Sequence, residues 1–141
     1  MIIKTTSFSI KGDSRGSLIA LEAKKDIPFE IKRIYYIFDT KEGVVRGHHA
    51  HKTLQQVLIC VSGSCTIVLD DGKARSEVLL DKPNIGLYIG PNIWREMKDF
   101  SPGAVLLVLA SDWYNEADYI RDYSEFLAYL GKTRQDKNGS I

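Results

Sequence analysis

The sequence has no long apolar segment and no excess of charge of either sign. No apolar run approaches the roughly 18 residues that span a membrane, and the N-terminal residues lack the apolar core of a secretion signal. The 19 basic and 18 acidic residues leave a net charge of +1, which gives no electrostatic basis for binding nucleic acid or a membrane surface. We therefore expect a cytoplasmic protein that binds neither.

Cysteine is also scarce. The two cysteines, Cys60 and Cys65, lie in a segment whose pattern is strand, turn, strand. Small secreted scaffolds carry more cysteines than this, and two thiols do not complete a tetrahedral zinc site. The cysteine content argues against a disulfide scaffold and favours a pair of reduced thiols.

Short strands separated by turn residues dominate the chain. At this spacing they predict an all-β sandwich or barrel rather than alternating strands and helices. Asp71-Gly72 predicts a hairpin, because glycine accepts the positive φ of a tight turn. The apolar run Ala104–Ala110 predicts a central strand that is covered on both faces. The predicted strands are Ile31–Phe38, Gln56–Val61, Cys65–Leu69, Ser76–Leu80, Gly86–Ile89 and Ala104–Ala110.

A helical period occurs once, in Glu116–Leu130. Its apolar residues recur at intervals of three and four: Ile120, Tyr123, Leu127 and Leu130. Asn115 is the predicted N-cap and Gly131 the predicted C-cap. The helix could cover the mouth of a barrel or contact a partner subunit. We predict one domain over residues 1–131 and a disordered polar tail over residues 132–141.

All three histidines fall within the segment Gly47–His51. On a strand, His49 and His51 point to one face and His48 to the other. Two imidazoles side by side in a concave site are typical of metal binding or of acid–base catalysis near neutral pH. The alternative is a histidine cluster on the surface without a function.

The spacing around these histidines resembles the first motif of the cupins, a family of small β-barrels. The matching residues are Gly43, His49, His51, Gln56 and Gly63. Cupins usually have glutamate where this chain has Gln56, and they supply a further histidine from a later strand. The corresponding stretch, residues 90–97, contains no histidine and contributes Arg95, which would repel a divalent cation. We therefore expect no metal and no other cofactor.

Several other side chains are candidates for the same pocket. On a strand, Arg33 and Tyr35 share one face while Tyr36 takes the other, and periodicity alone does not decide which tyrosine faces inward. Arginines beside turn glycines are suited to bidentate contacts with phosphate. Together with the histidines, Arg15, Arg46 and Arg95 indicate a substrate that carries phosphate.

Longer stretches identify a more specific resemblance. The chain resembles the cupin-type sugar 3,4-ketoisomerases that act on dTDP-4-oxo-6-deoxy-glucose in bacterial pathways to 3-amino-3,6-dideoxy sugars. The resemblance spans roughly residues 8 to 130. The stretches that carry it are Asp13–Leu18, Ile27–Tyr36, Arg46–Lys52, Gln55–Cys60, Gly86–Pro91, Val108–Ser111 and Asp118–Arg121.

This resemblance implies a cupin jelly-roll barrel with a C-terminal helix. It implies a catalytic set in which His49 is the general base, His51 its neighbour in proton transfer and Tyr35 the phenol that joins them. It also implies a metal-independent homodimer with exchanged N-terminal strands. The substrate-binding residues are predicted to be Arg15, Arg33, Arg46, Lys52 and Arg95.

The resemblance also bears on the C4 configuration of the product. Members with a galacto product tend to have arginine and histidine at positions 15 and 95, and members with a gluco product tend to have tyrosine and arginine. This chain has arginine at both positions, and we favour the galacto product. Three alternative functions are a 3,5-epimerase acting on the same substrate, a metal-dependent dioxygenase, and a cupin that binds sugar nucleotides without turnover.

Overall fold

The computed structural model describes residues 1–139, and side chains up to residue 135. Its strands, β1 to β12 in chain order, are Lys4–Ser7, Lys11–Asp13, Gly16–Leu18, Arg33–Ile37, Arg46–His51, Gln56–Ser62, Cys65–Asp70, Arg75–Leu80, Ile85–Ile89, Trp94–Lys98, Val105–Ala110 and Tyr119–Ile120. A short 3-10 helix, Glu116–Asp118, precedes β12, and one α-helix, α1, spans Tyr123–Gly139. No helix within residues 1–139 is long and apolar enough to cross a membrane.

Two five-stranded antiparallel sheets form the body of the molecule. The first has the order β1-β9-β6-β11-β4 and the second β12-β5-β10-β7-β8, while β2 and β3 form a separate hairpin. Strands that follow one another in the chain often lie in different sheets, as in a jelly roll. The predicted all-β fold with a C-terminal helix is confirmed.

The main core lies between the two sheets. Leu58 and Val108 from the first sheet meet Ile67 and Met97 from the second, each at most 2% exposed. Cys60 and Cys65 belong to this core and carry free thiols. Because every strand alternates its side chains, the first sheet presents a second apolar face outward.

The outer face of the first sheet is covered by its own chain. Phe8, Ile27 and Phe29 pack there against Ile59 and Leu109. Strand β11 is therefore covered on both faces, which confirms the prediction for Ala104–Ala110. The predicted hairpin is also present, since Asp70 pairs with Arg75 and Gly72 has a φ of +89°.

The C-terminal helix packs on the outer face of the second sheet. Phe126 is fully buried there against Ala50 and Trp94. The sequence left open whether the helix would cover the barrel mouth or contact a partner; within this chain it covers the face of the sheet rather than the mouth, and contact with a partner stays a prediction. Leu127, predicted on the buried face, is 41% exposed.

The predicted bounds of this helix are wrong at both ends. Asn115 does cap a helix, but the capped element is the 3-10 helix, whose Ala117 amide donates to the Asn115 side chain over 3.1 Å. The α-helix begins eight residues later, at Tyr123, because Tyr119–Ile120 pair with β5. It also continues through Gly131 to Gly139, so the glycine does not end it. The domain boundary at residue 131 stays a prediction, and residues 140 and 141 lie outside the described residues.

We predict that Phe126→Ala lowers the free energy of unfolding by about 3–5 kcal/mol, the usual cost of removing a buried phenylalanine. The measurement is urea denaturation followed by circular dichroism. Leu127→Ala, at the exposed neighbouring position, is the control and should cost less than about 1 kcal/mol. Equal losses in the two variants would contradict the helix packing described here.

Candidate active site

A cleft of about 450 Å³ opens between β4 and β5, beside β12. Its lining combines cationic and aromatic groups with one histidine. Among the lining residues are Arg33, Tyr35, Arg46, His49, Tyr119 and Arg121. A smaller cavity lies next to it, and His51 and Asp118 line that one. Arg33 and Tyr119 line both cavities and therefore form the wall between them.

The histidines reach the interior because β5 begins with a bulge. Gly47 and His48 have φ of +89° and +53°, and the pairing with β10 shifts register at this point. A β-bulge of this kind redirects the following side chains. His49 and His51 then face inward with 8% and 0% exposure, while the His48 side chain stays 53% exposed. The predicted division of the three histidines is confirmed.

The two buried imidazoles lie edge to face, with ring centroids 4.9 Å apart. His49 Nδ1 lies 3.0 Å from the carbonyl oxygen of Gly47. Since a carbonyl only accepts, Nδ1 must carry the proton and Nε2 keeps its lone pair. The Nε2 atoms of both histidines are buried and make no hydrogen bond to the described part of the chain. His49 is thus a base whose lone pair is free for a ligand.

Burial and a nearby cation keep both imidazoles neutral. Desolvation, followed by repulsion from Arg95, lowers the pKa of His49 to about 4. The same two causes lower the pKa of His51 to about 3, although Asp118 opposes them. Unperturbed histidine titrates near pH 6.5. At neutral pH both side chains are therefore unprotonated bases.

A chain of hydrogen bonds holds Tyr35 from behind. Arg95 is completely buried and donates to Gln56 Oε1 and to the carbonyl of Ile93. Because Gln56 Oε1 accepts from Arg95, its amide nitrogen is the atom that donates to Tyr35 Oη, over 3.0 Å. The phenol oxygen is already an acceptor, so its own proton is free to point into the cleft. Burial also raises the pKa of Tyr35, which keeps the phenol protonated.

The same arrangement is unsuited to the metal that many cupins hold. The third ligand position is the neutral amide of Gln56, and the guanidinium of Arg95 is bonded directly to it. Burial lowers the pKa of Arg95 to about 10, so the group remains a cation at neutral pH. Among the side chains that the structure describes, no three from histidine, cysteine or acidic residues come together to hold a metal ion. The residues present do not fit a metal.

The cleft contains only some of the predicted substrate-binding residues. Arg33 and Arg46 line it, whereas Arg95 is buried behind it. Lys52 lies over the ring of Tyr129, 5.7 Å from its centroid, on the side of the C-terminal helix. Arg15 is at the tip of the β2–β3 hairpin, where its side chain is 88% exposed and paired with Asp13. Neither Arg15 nor Lys52 lines the cleft of its own chain.

Sequence reasoning missed two residues of the site, Tyr119 and Arg121. Tyr119 pairs with His51 across β12 and β5, and its ring centroid is 4.4 Å from that of His51. Arg121 lies over the Tyr119 ring at 4.1 Å and is held by Glu116. The stretch Asp118–Arg121 carried part of the family resemblance, which was the available signal, but the helical period assigned it to a helix.

Two facing antiparallel sheets with a histidine pair between them define the protein as a cupin-type jelly roll. The family model described as "FdtA: WxcM-like, C-terminal" matches residues 1–131. The chain is 55% identical over 136 residues, 96% of its length and 98% of the relative's, to the TDP-4-oxo-6-deoxy-alpha-D-glucose-3,4-oxoisomerase of Aneurinibacillus thermoaerophilus. The chain belongs to this family of sugar 3,4-ketoisomerases.

Solved structures agree with this assignment. A 3,4-ketoisomerase from Helicobacter canadensis is 62% identical, with a TM-score of 0.90 over 93% of this chain and 98% of the other. The WlaRB TDP-quinovose 3,4-ketoisomerase of Campylobacter jejuni is 61% identical, with a TM-score of 0.85 over 89% of this chain and 97% of the other. The similarity therefore covers nearly all of each protein.

We predict that neither His49 nor His51 titrates between pH 5 and pH 8, because burial and Arg95 hold their pKa values near 4 and 3. Each stays neutral as the pH falls past 6.5 and gains its proton only at lower pH. The measurement is an NMR titration of the ring signals, assigned with His49→Asn and His51→Asn. A midpoint near pH 6.5 for either signal would contradict the described environment.

Proposed function

We propose that the protein is a 3,4-ketoisomerase that converts TDP-4-oxo-6-deoxy-glucose to the corresponding 3-oxo sugar. The observation that carries this proposal is that one cleft is lined both by His49, whose Nε2 lone pair is free, and by Tyr35, whose phenolic proton is free. A base next to an acid is what moving a carbonyl between adjacent carbons requires. The name of the 55% identical relative supports the same reaction and substrate.

The reaction needs no external oxidant, because C3 is oxidised as C4 is reduced. The C4 carbonyl acidifies the proton on C3, and His49 Nε2 removes it. The electron pair of that bond forms the C3–C4 double bond, and the C4 oxygen takes the phenolic proton of Tyr35, which gives an enediol. The C3 hydroxyl then gives its proton to His51 Nε2, which returns it to the Tyr35 phenolate, and C4 takes the proton that His49 holds. This leaves the carbonyl at C3 and restores all three side chains.

The chemistry is proposed to proceed without a metal. The enediol oxygen that a metal would stabilise can instead receive the Tyr35 proton. The cation of Arg95 acts on the phenol through Gln56, since each hydrogen bond in a chain polarises the next. These residues supply electrostatic stabilisation at the position where many cupins have a metal.

Cationic groups at the cleft support binding of the diphosphate. Arg33 and Arg46 are the first candidates, and Arg121 is an addition from the geometry. Guanidinium groups suit phosphate because they can donate two parallel hydrogen bonds. A diphosphate contact by Lys52 or Arg15 stays a prediction, as do the cytoplasmic location and the onward use of the product in 3-amino sugars.

Two product configurations are candidates at C4. Arg15 favours galacto under the family pattern, and this remains the prediction from the sequence. Arg95 favours gluco under the same pattern, and 61% identity to an enzyme named for TDP-quinovose, a 6-deoxyglucose, supports that second candidate. The two differ in the face on which C4 receives its proton.

We further propose that the enzyme is a homodimer with exchanged N-terminal strands. Along β4 and just after it, Ile34, Tyr36 and Phe38 are each more than half exposed, an unusual apolar surface for a monomer. The β2–β3 hairpin, which carries Arg15, is exposed along its whole length. If this hairpin reached into a partner's cleft, it would bring Arg15 there, a residue that does not line the cleft of its own chain.

The experiment that tests the reaction is proton NMR with TDP-4-oxo-6-deoxy-glucose in D₂O, coupled to a 3-aminotransferase that traps the product. Deuterium at C4 of a 3-amino sugar supports the ketoisomerase, and the coupling between H3 and H4 distinguishes galacto from gluco. Deuterium at C3 and C5 with the carbonyl still at C4 would instead identify a 3,5-epimerase. Binding without exchange would identify a sugar-nucleotide-binding cupin.

We predict that His49→Asn lowers kcat by roughly 10²-fold or more, since a positioned general base typically contributes about 10²–10⁴-fold. Asparagine keeps a polar side chain of similar size, so the fold should be retained. His48→Asn, on the exposed side of the same strand, is the matched control and should leave kcat unchanged. Equal activity in both variants would remove His49 from the mechanism.

We predict that Arg15→Ala inactivates the enzyme by removing a substrate contact, and that this variant and His49→Asn complement each other when the two proteins are unfolded together and refolded. In a 1:1 mixture of exchanged dimers, about a quarter of the sites would combine a native hairpin with a native cleft. Activity should therefore rise to about a quarter of the wild-type value. Failure to recover any activity, with dimers present, would contradict a site shared between subunits.

A further inference from the structure

Asp118 is held from several sides next to His51. Its Oδ1 accepts hydrogen bonds from the backbone nitrogen and the hydroxyl of Thr53, at 2.8 and 2.9 Å. Its Oδ2 lies 3.0 Å from His51 Nδ1. Its own carbonyl accepts from the backbone nitrogen of Lys52. The carboxylate is therefore fixed in orientation, with one oxygen assigned to Thr53 and the other to the imidazole.

The position of Asp118 follows from the short strand that comes after it. The 3-10 helix ends at Asp118, and Tyr119 then pairs with His51 itself. This pairing places Asp118 next to His51, although the two residues are 67 positions apart in the sequence. The Asp118 side chain is 12% exposed and that of His51 is fully buried, so water does not weaken the contact.

The hydrogen-bond partners determine where the protons are. Burial alone would raise the pKa of Asp118, but the bonds from Thr53 and His51 outweigh it and lower the pKa. An ionised carboxylate can only accept, so the proton between the two side chains belongs to His51 Nδ1. The remaining ring nitrogen, Nε2, then has a lone pair and no partner in the described residues.

His49 differs from His51 in one respect. Its Nδ1 donates to the neutral carbonyl of Gly47, whereas that of His51 faces a charge. A hydrogen bond from an imidazolium to a carboxylate is about twice as strong as one between neutral groups. When the His51 ring takes up a proton, Asp118 stabilises the resulting charge, and His49 has no carboxylate in the equivalent place.

We propose that Asp118 is a positioning residue that fixes the ring orientation and the tautomer of His51, so that Nε2 can accept and return a proton during isomerisation. This inference rests on the proposed function for its catalytic part. Asp118 itself does not line the large cleft. It acts through the imidazole, as the acidic member of a histidine–carboxylate pair.

The variant Asp118→Asn tests this with a change of one functional group. The backbone N–H of Thr53 can only donate, so it holds the amide oxygen of the asparagine at the Oδ1 position. The NH₂ group then faces His51 Nδ1 and donates to it. The imidazole must move its proton to Nε2, and the base becomes a donor.

The first measurement is the tautomer of His51, read from ¹⁵N-detected NMR of the ring nitrogens with His51→Asn for assignment. In the wild-type protein the proton is expected on Nδ1, and in Asp118→Asn on Nε2. If Asp118 had only a structural role, its replacement by asparagine would not move the ring proton of His51 from Nδ1 to Nε2. A wild-type proton on Nε2 would overturn the proposal, and this holds even if Asp118→Asn does not fold.

The second measurement is steady-state kinetics with TDP-4-oxo-6-deoxy-glucose. Asp118→Asn is expected to lower kcat by roughly 10²-fold with KM unchanged, because the loss is confined to the proton transfers. Glu125→Gln, the same carboxyl-to-amide change at an exposed residue of α1, should leave both constants unchanged. Wild-type kcat in Asp118→Asn would overturn the proposed role of Asp118.

The two measurements separate this inference from the proposed function. A wild-type protein that does not isomerise the sugar would refute the ketoisomerase assignment. The tautomer comparison on the free protein would still decide whether Asp118 controls His51. An active wild-type enzyme whose His51 tautomer is the same in both proteins would refute the role of Asp118 alone.

Discussion

The architecture of the cleft depends on one buried cation. Arg95 lies inside the barrel with no exposure, and burying a guanidinium is costly unless its donors are satisfied. The carbonyl of Ile93 and the amide of Gln56 satisfy them, and the orientation that this forces on Gln56 determines the direction of the bond to Tyr35. The same charge lowers the pKa of both histidines. One side chain thus makes the phenol a donor and the imidazoles bases.

A second constraint is the pairing of β12 with β5. It is only two residues long, yet it brings Tyr119 against both imidazole rings and Asp118 against one of them. The pairing therefore joins two parts of the site that are far apart in sequence. One supplies the bases, and the other supplies the groups that orient and enclose them.

The sequence predicted those features that depend on periodicity along a single strand. The all-β class, the hairpin at Gly72 and the shared face of His49 and His51 follow from a repeat of two residues. It could not choose between Tyr35 and Tyr36, because alternation does not tell which face is inward. The start of α1 was wrong because Tyr119 and Ile120 fit a helical period but gain more by pairing with β5. The burial of Arg95 depends on its partner Gln56, 39 positions away, which no local pattern reveals.

Ala50 connects the packing on the two faces of the second sheet. It lies between the two inward-facing histidines on β5, and its methyl group points the opposite way, into the cluster formed with Phe126 and Leu130. A larger side chain at this position would push either the helix outward or the strand inward. The exposed residues of the helix are free of this constraint, whereas the width of the helix–sheet gap is coupled through Ala50 to the positions of the two histidines. The C-terminal helix does not line the cleft, yet it supports from behind the strand that carries His49 and His51.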